Sequence, residues 1–315
     1  MNRIYYPVSE YYKKKYGEKV YKLPIKLDLT CPNRDGSAGY GGCIYCSESG
    51  GSFENLPSYL NIKTQIEKNK KYIGKKYSAK KFIAYFQNFT NTYMGYDVFK
   101  ELIDACDLED IVGISISTRS DCISEDKLQY LYEFKKNKNM DIDIELGLQT
   151  ANYHTLDILN RKEDLADFIS AVLMIKKYGF DICTHVILSL PWDDLNDVIE
   201  TARILNSLKI DKVKIHSLYI VKGTVLEKLF LENKITMISK EDFIVRVSEF
   251  LRRIDKNTAV ERLIGRAPEE ETIFCNWNTS WWVIRDEIEN YMQKNGFYQG
   301  QLKLKKDYKV IRGLK

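Results

Sequence analysis

Residues 31–46 read CPNRDGSAGYGGCIYC, and they hold three of the chain's seven cysteines, spaced C-x11-C-x2-C with no histidine nearby. Three thiols are one short of a structural zinc site, which is closed by four ligands, usually as two C-x2-C-like pairs. A [4Fe–4S] cluster matches the number better, because each cysteine holds one iron and three cysteines leave one iron open to a substrate or cofactor. The stretch follows an apolar, β-like run at 23–29, so the cysteine loop begins where a strand ends. Gly36, Gly39, Gly41 and Gly42 give the loop turn conformations closed to other residues and a close backbone approach to the cluster.

Outward from this loop, five more β-like runs follow at 81–87, 111–117, 142–149, 182–190 and 212–220. Amphipathic segments separate them. Val98, Leu102, Ile103 and Cys106 share one helical face, and Leu128, Leu131 and Tyr132 another. Phe168, Val172 and Ile175 continue the series, then Val198, Ala202 and Leu205. Ser124 stands as an N-cap before Glu125 and Asp126. Six strand–helix repeats predict a parallel sheet with helices outside: an α/β fold, a partial (β/α)6 TIM-like barrel over residues 1–221. The near-continuous apolar strands suit burial on both faces. Beyond about residue 222 the pattern is helix upon helix, at 222–233, 239–254 and 279–295. This predicts a C-terminal helical extension, 222–315, packed on the barrel. Chemistry in such barrels gathers at the C-terminal strand ends, which here carry FQNFTNTY, STRSDC, ELGLQT, THVILSLPWD and IHSLY.

With 44% hydrophobic and 29% charged residues, the composition is that of a globular protein with a sizeable core. No apolar run approaches the ~20 residues of a membrane span, and the first residues lack the apolar core of a secretory signal. These features predict a cytoplasmic protein. Seven cysteines in a reducing compartment point to metal binding or catalysis more than to disulfides. Cys106 and Cys183 lie in apolar stretches and read as small buried hydrophobes. The net charge of +4 names no partner, but its distribution is uneven: Lys63 to Lys81 holds eight lysines, one acid (Glu67) and Tyr72 and Tyr77. A second basic run, KLKKDYKVIRGLK, closes the chain. Such runs suit a phosphate backbone, or are solvated helix faces.

Three cysteines directly after the first barrel strand, with Tyr45 just before the last, resemble the cluster motif of the radical S-adenosylmethionine (SAM) enzymes. The common spacing there is C-x3-C-x2-C, and the longer first gap is similar to that of the branch related to the Elongator catalytic subunit. CPNRDG…GGCIYC together with YFQNFTNTY, STRSDC and ELGLQT resembles a bacterial subgroup of that branch. The resemblance implies that Cys31, Cys43 and Cys46 ligate a [4Fe–4S] cluster whose open iron chelates the amino and carboxylate groups of S-adenosylmethionine. It also implies a low-potential electron donor of flavodoxin or ferredoxin type, and cleavage to methionine and a 5′-deoxyadenosyl radical.

Further cofactor contacts follow from the same resemblance. Tyr45 reads as an adenine contact or as a core aromatic, and Gln87, Asn88 and Thr90 stand where the family usually carries a GGE-like motif. Ser117 and Arg119 end strand 3, with Arg119 a possible bidentate clamp on the methionine carboxylate and Asp121 an alternative cap for the next helix. Glu145 and Gln149, four apart, share one face of strand 4. An inward glutamate is unfavourable unless it binds something, which favours a ribose or amine ligand. His185, Ser189 and Trp192 follow strand 5. His185 and His216 each read as a ligand contact or as a satisfied interior histidine. Arg262, Arg266, Cys275, Asn276 and Trp277, within ERLIGRAPEEETIFCNWNTSWW (261–282), suit base stacking and phosphate contact or simple packing of the extension. Members of the branch act on the wobble uridine of tRNA. The substrate implied is therefore tRNA, with a 5-carboxymethylaminomethyl side chain taken toward 5-aminomethyl. The alternatives are a small metabolite or protein substrate, or a non-catalytic metal-binding interaction module.

Overall fold

Strand residues in this protein alternate between two quite different sets of neighbours. The computed structural model describes residues 4–48, 50 and 55–302, so the closing basic run lies outside the described residues. Strands β1 (Val20–Ile25), β2 (Lys81–Phe86), β3 (Ile111–Thr118), β4 (Asp141–Gln149), β5 (Asp181–Ile187) and β6 (Lys212–His216) pair in parallel and in chain order. After the two-residue β7 (Ile220–Val221), β8 (Ala259–Arg262) joins the far side of β6, also parallel, as a seventh strand of the sheet. β7 itself pairs antiparallel with β9 (Thr272–Phe274).

On the outer face, Leu23, Ile25, Phe82, Phe86, Ile114, Ile116, Ile144, Leu146, Val213 and Ile215 are buried with the helical residues Leu128, Leu131, Phe168, Val172, Ile175, Val198, Ala202 and Leu205. The helical stripes expected from sequence are therefore the ones used. One position differs: Val98 is exposed, and Phe99 takes its place beside Ile103 and Cys106.

The inner face is not the apolar filling that the strand pattern suggests. Lys22, Ser115, Asp143, Glu145, Lys212, Lys214 and Glu261 point into the barrel from alternate positions. Lys212 pairs with Asp143 at 2.9 Å, and Lys214 with Glu145 at 2.9 Å and Glu261 at 3.2 Å. Lys22 pairs with Glu145 and Glu261. This last contact reports the curvature directly. Lys22 is on β1 and Glu261 on β8, the two edges of the sheet; in a flat sheet six spacings of about 4.8 Å would hold them roughly 29 Å apart. The sheet therefore curls into a partial barrel. The helix Val8–Tyr16 packs at its N-terminal end, where the Tyr11 hydroxyl donates to Asp181 at 2.6 Å. Cys183 also faces this charged interior, not apolar surroundings; burial, with Glu261 and Glu145 beside it, pushes its thiol well up.

Two boundaries shift from expectation. β1 covers 20–25, not 23–29, because beyond Ile25 side chains take over the backbone: Gln65 Oε1 accepts from the Lys26 N–H at 2.9 Å and Asn88 Oδ1 from the Leu27 N–H at 3.1 Å. In the C-terminal region the helices Val225–Leu231, Lys240–Arg253 and Trp281–Lys294 form where expected. Between them, however, β8 enters the barrel sheet; its short Ala259–Val260 apolar pair gives too little period-two signal to read. Among the described residues no helix is long and apolar enough to cross a membrane.

Candidate active site

The chain leaving β1 turns at Cys31, which precedes the one-turn helix Pro32–Asp35. Gly36 ends that turn at φ +95°, and Gly42 sits at φ +77° with the Arg34 side chain 3.1 Å from where a Cβ would lie. Both positions need glycine. The loop is stitched to the segment after β4: the Ile44 N–H donates to Leu159 at 3.1 Å, and the Asn160 amide to the Gly42 carbonyl at 2.8 Å. These bonds bring Cys31, Cys43 and Cys46 to one cleft of about 770 Å³ at the C-terminal ends of the strands.

All seven cysteines are free thiols. Burial and the neighbouring Cys43 push the Cys46 thiol up, while Arg34 pulls it down. Two donors aim at the Cys43 sulfur: the Asn33 amide at 3.6 Å and Arg161 at 3.7 Å. Arg34 donates to the carbonyls of Cys46 and Ser47 at 2.8 and 2.5 Å. Three cysteines in the cleft's lining are one short of a closed four-thiolate site and match a cluster with one open iron. A fully buried Asn33 whose Oδ1 has no hydrogen-bond partner further marks the loop as built around something polar.

The polar residues expected at the strand ends divide. Tyr45, Gln87, Thr90, Ser117, Arg119, Glu145, Gln149 and His185 all line the cleft with the three cysteines. Asn88 does not: it is fully buried and clamps Leu27 through both its amide atoms. The Arg119 fork is engaged by Asp121, at 2.9 and 2.7 Å, so Asp121 serves Arg119 and not the following helix. Glu145 owes its burial to protein partners, not to a ligand alone. Its carboxylate accepts from the Tyr85 hydroxyl at 2.8 Å, and His185 Nε2 lies 2.7 Å away. Burial opposes its charge, but Lys214 and Lys22 overcome this and hold it well below the usual carboxylate range. Burial pushes His185 down.

Outside the cleft, Ser189 is buried and accepts from the Leu218 N–H at 2.7 Å. Trp192 packs in a small apolar cluster with Tyr45 and Ile187. Trp277 donates to the Ile238 carbonyl at 2.7 Å and packs on Phe243, while buried Asn276 bonds Ser217 and Gly265; these two are structural. Arg266, Cys275, Trp281 and Trp282 line a wider cleft that meets the first at Gln87. Several residues escaped the sequence reading, among them Arg34, Arg161, Lys22, Lys214 and Glu261. Arg161 sits in a loop with no periodicity. The lysines, by contrast, left a signal in the matching alternation of Lys212/Lys214 and Asp143/Glu145.

With this geometry in view, comparison with known proteins is informative. The model of the Radical SAM superfamily matches residues 31–205, and that of the Radical_SAM C-terminal domain residues 210–294. YtqA of Bacillus subtilis is 34% identical over 299 residues, 94% of this chain and 92% of that protein. A Methanocaldococcus jannaschii protein named tRNA uridine(34) acetyltransferase is 24% identical over 277 residues, 75% of this chain and 50% of that one. The solved structure of Methanocaldococcus infernus Elp3, with its N-terminus deleted, matches with a TM-score of 0.65 at 17% identity, covering 89% of this chain and 64% of that one. At that identity the likeness is one of fold.

Proposed function

The chain belongs to the radical SAM superfamily, and from that premise we propose that it is a tRNA-modifying enzyme whose Cys31, Cys43 and Cys46 hold a [4Fe–4S] cluster and whose cleft holds S-adenosylmethionine. The observation that carries this is the convergence of three free thiols on a cleft lined by polar strand ends. When bound and reduced, the pair supplies a 5′-deoxyadenosyl radical able to take a hydrogen atom from carbon.

This chain's residues do the rest. Asn33 and Arg161 direct N–H groups at the Cys43 sulfur, the kind of hydrogen bond that tunes a cluster's potential. Gln87, Thr90, Ser117 and Gln149 offer uncharged polar groups toward the cofactor, and Tyr45 an aromatic face. His185, held neutral by burial, is available as a donor or acceptor.

The substrate in this reading is the wobble uridine of tRNA, whose 5-carboxymethylaminomethyl side chain is taken toward 5-aminomethyl. Its methylene between nitrogen and carboxylate is a chemically sensible C–H target. Loss of that hydrogen atom and of one further electron, taken up by a one-electron carrier of flavodoxin or ferredoxin type, gives an iminium that water splits into the 5-aminomethyl amine and glyoxylate. Support comes from the relative named for tRNA uridine(34) and from the Elp3 fold. The wider cleft with Arg266 and the half-exposed Trp282 suits a flipped base and its phosphates. The lysine-rich helix Ile62–Tyr77 adds positive charge.

Nucleoside mass spectrometry of tRNA from cells with and without the gene tests this. Loss of the 5-aminomethyl nucleoside with accumulation of its 5-carboxymethylaminomethyl precursor is expected. An unchanged nucleoside profile would remove the tRNA reading and leave a metabolite or protein substrate.

A further inference from the structure

Charge in this barrel balances nearly everywhere. Lys22, Lys212 and Lys214 face Asp143, Glu145 and Glu261. Beside the thiols, Arg119 and Arg161 face Asp121 and Glu163. Arg262 breaks the pattern. Among the described residues its guanidinium finds a hydrogen-bond partner only in the His216 ring, at 2.8 and 3.1 Å, and its Nε finds none. His216 is no counter-charge. Burial, and then Arg262 itself, push it well below its usual range, so it is neutral and offers only a lone pair. The ring is held in place by stacking on His185, centroids 5.2 Å apart. A half-buried guanidinium without an anion among the described residues favours an oxyanion, and its planar fork matches a carboxylate through two parallel hydrogen bonds.

Its place in the fold says which oxyanion. Arg262 lines a recess with Tyr85, Lys214, His216 and Tyr219, and that recess shares Tyr45, Gln87, Gln149 and His185 with the cysteine cleft. Arg262 also lines the wider cleft, so it stands where that cleft opens into the recess, and the recess continues to Lys214, which is buried in the barrel. A phosphodiester, flanked by two sugars, stays at the rim; a small terminal carboxylate can enter.

We propose that Arg262 is the receptor for a carboxylate of the substrate, fixing the carbon beside that carboxylate against the cysteine cleft. The inference rests on the proposed tRNA substrate only for the identity of the carboxylate, the end of the carboxymethyl group.

The test uses the intact reconstituted protein and two synthetic anticodon stem-loops. One carries the 5-carboxymethylaminomethyl acid and the other its neutral amide. The acid is expected to bind on the order of tenfold tighter or more, with the difference lost in R262Q and partly kept in R262K. Equal affinity of the wild type for acid and amide overturns the inference and leaves the tRNA reading standing. If neither stem-loop binds, the tRNA reading fails, and labelling of Arg262 by phenylglyoxal then decides. Protection by N-methylglycine but not by its amide upholds the carboxylate receptor. Equal labelling with and without the acid, or no labelling at all, overturns it.

Discussion

Lys212, Lys214 and Lys22 meet Asp143, Glu145 and Glu261 within the barrel, while at the C-terminal ends of the same strands the cleft is lined by three thiols, uncharged polar groups and the arginines Arg34, Arg119 and Arg161. Both regions are polar interiors of one sheet, yet they are organised for different ends. In the lower one each charge has its partner inside the protein, and the helix Val8–Tyr16 packs beneath it. A buried ion pair of this kind is weak evidence for net stability, but removing one partner leaves an uncompensated charge. In the upper region Arg262 and the Asn33 carbonyl lack such closure among the described residues. The contrast separates charge that holds the fold from polarity that waits for a ligand. Glu145 belongs to both, since it anchors Lys214 and Lys22 and also lines the cleft.

The largest expected effect comes from opening the lower network. Glu145→Ala leaves the buried Lys22 and Lys214 to share Glu261, with one positive charge uncompensated, and should lower unfolding stability by about 3–5 kcal/mol in urea titrations. A loss below about 1 kcal/mol would mean the network is not closed as described.

A smaller effect is expected at its acidic edge. Burial opposes the charge of Asp181, but Lys212 and Lys15 outweigh it and bring the carboxyl down to about 2 from the usual 3.8. Because the folded value lies below the unfolded one, this stabilisation is complete above about pH 4. It is lost as pH falls toward about 2, and amounts to about 2 kcal/mol. Glu261, also brought down to about 2, titrates in the same window. Asp181→Asn should therefore flatten, not abolish, the acid limb of stability against pH. An unchanged limb would contradict the pairing.

Much of this architecture is legible in the sequence. Apolar stripes at helical spacing fixed the outer core, because packing on a sheet demands them regardless of function. The cysteine spacing gave the cleft, and the strand ends gave most of its lining. What escaped was set by tertiary proximity. Arg161 reaches Cys43 only because the 159–161 backbone is stitched to the cysteine loop. Glu261 enters the barrel only because β8 closes toward β1. Asn88 read as a ligand because its neighbours are polar, but its side chain is spent on Leu27. Lys212 and Lys214 offered a readable signal; two lysines one strand period apart cannot both be solvated if the alternate Val213 and Ile215 are in the core.

The claim on which everything else depends is that Cys31, Cys43 and Cys46 hold an open cluster that works on S-adenosylmethionine. Anaerobic reconstitution with iron and sulfide, followed by reduction with S-adenosylmethionine present, tests it in wild type and in Cys43→Ala side by side. The expected result is a brown chromophore and 5′-deoxyadenosine from the wild type, with both lost in the variant. Cleavage retained by Cys43→Ala, or an iron-loaded wild type that releases no 5′-deoxyadenosine, would contradict it.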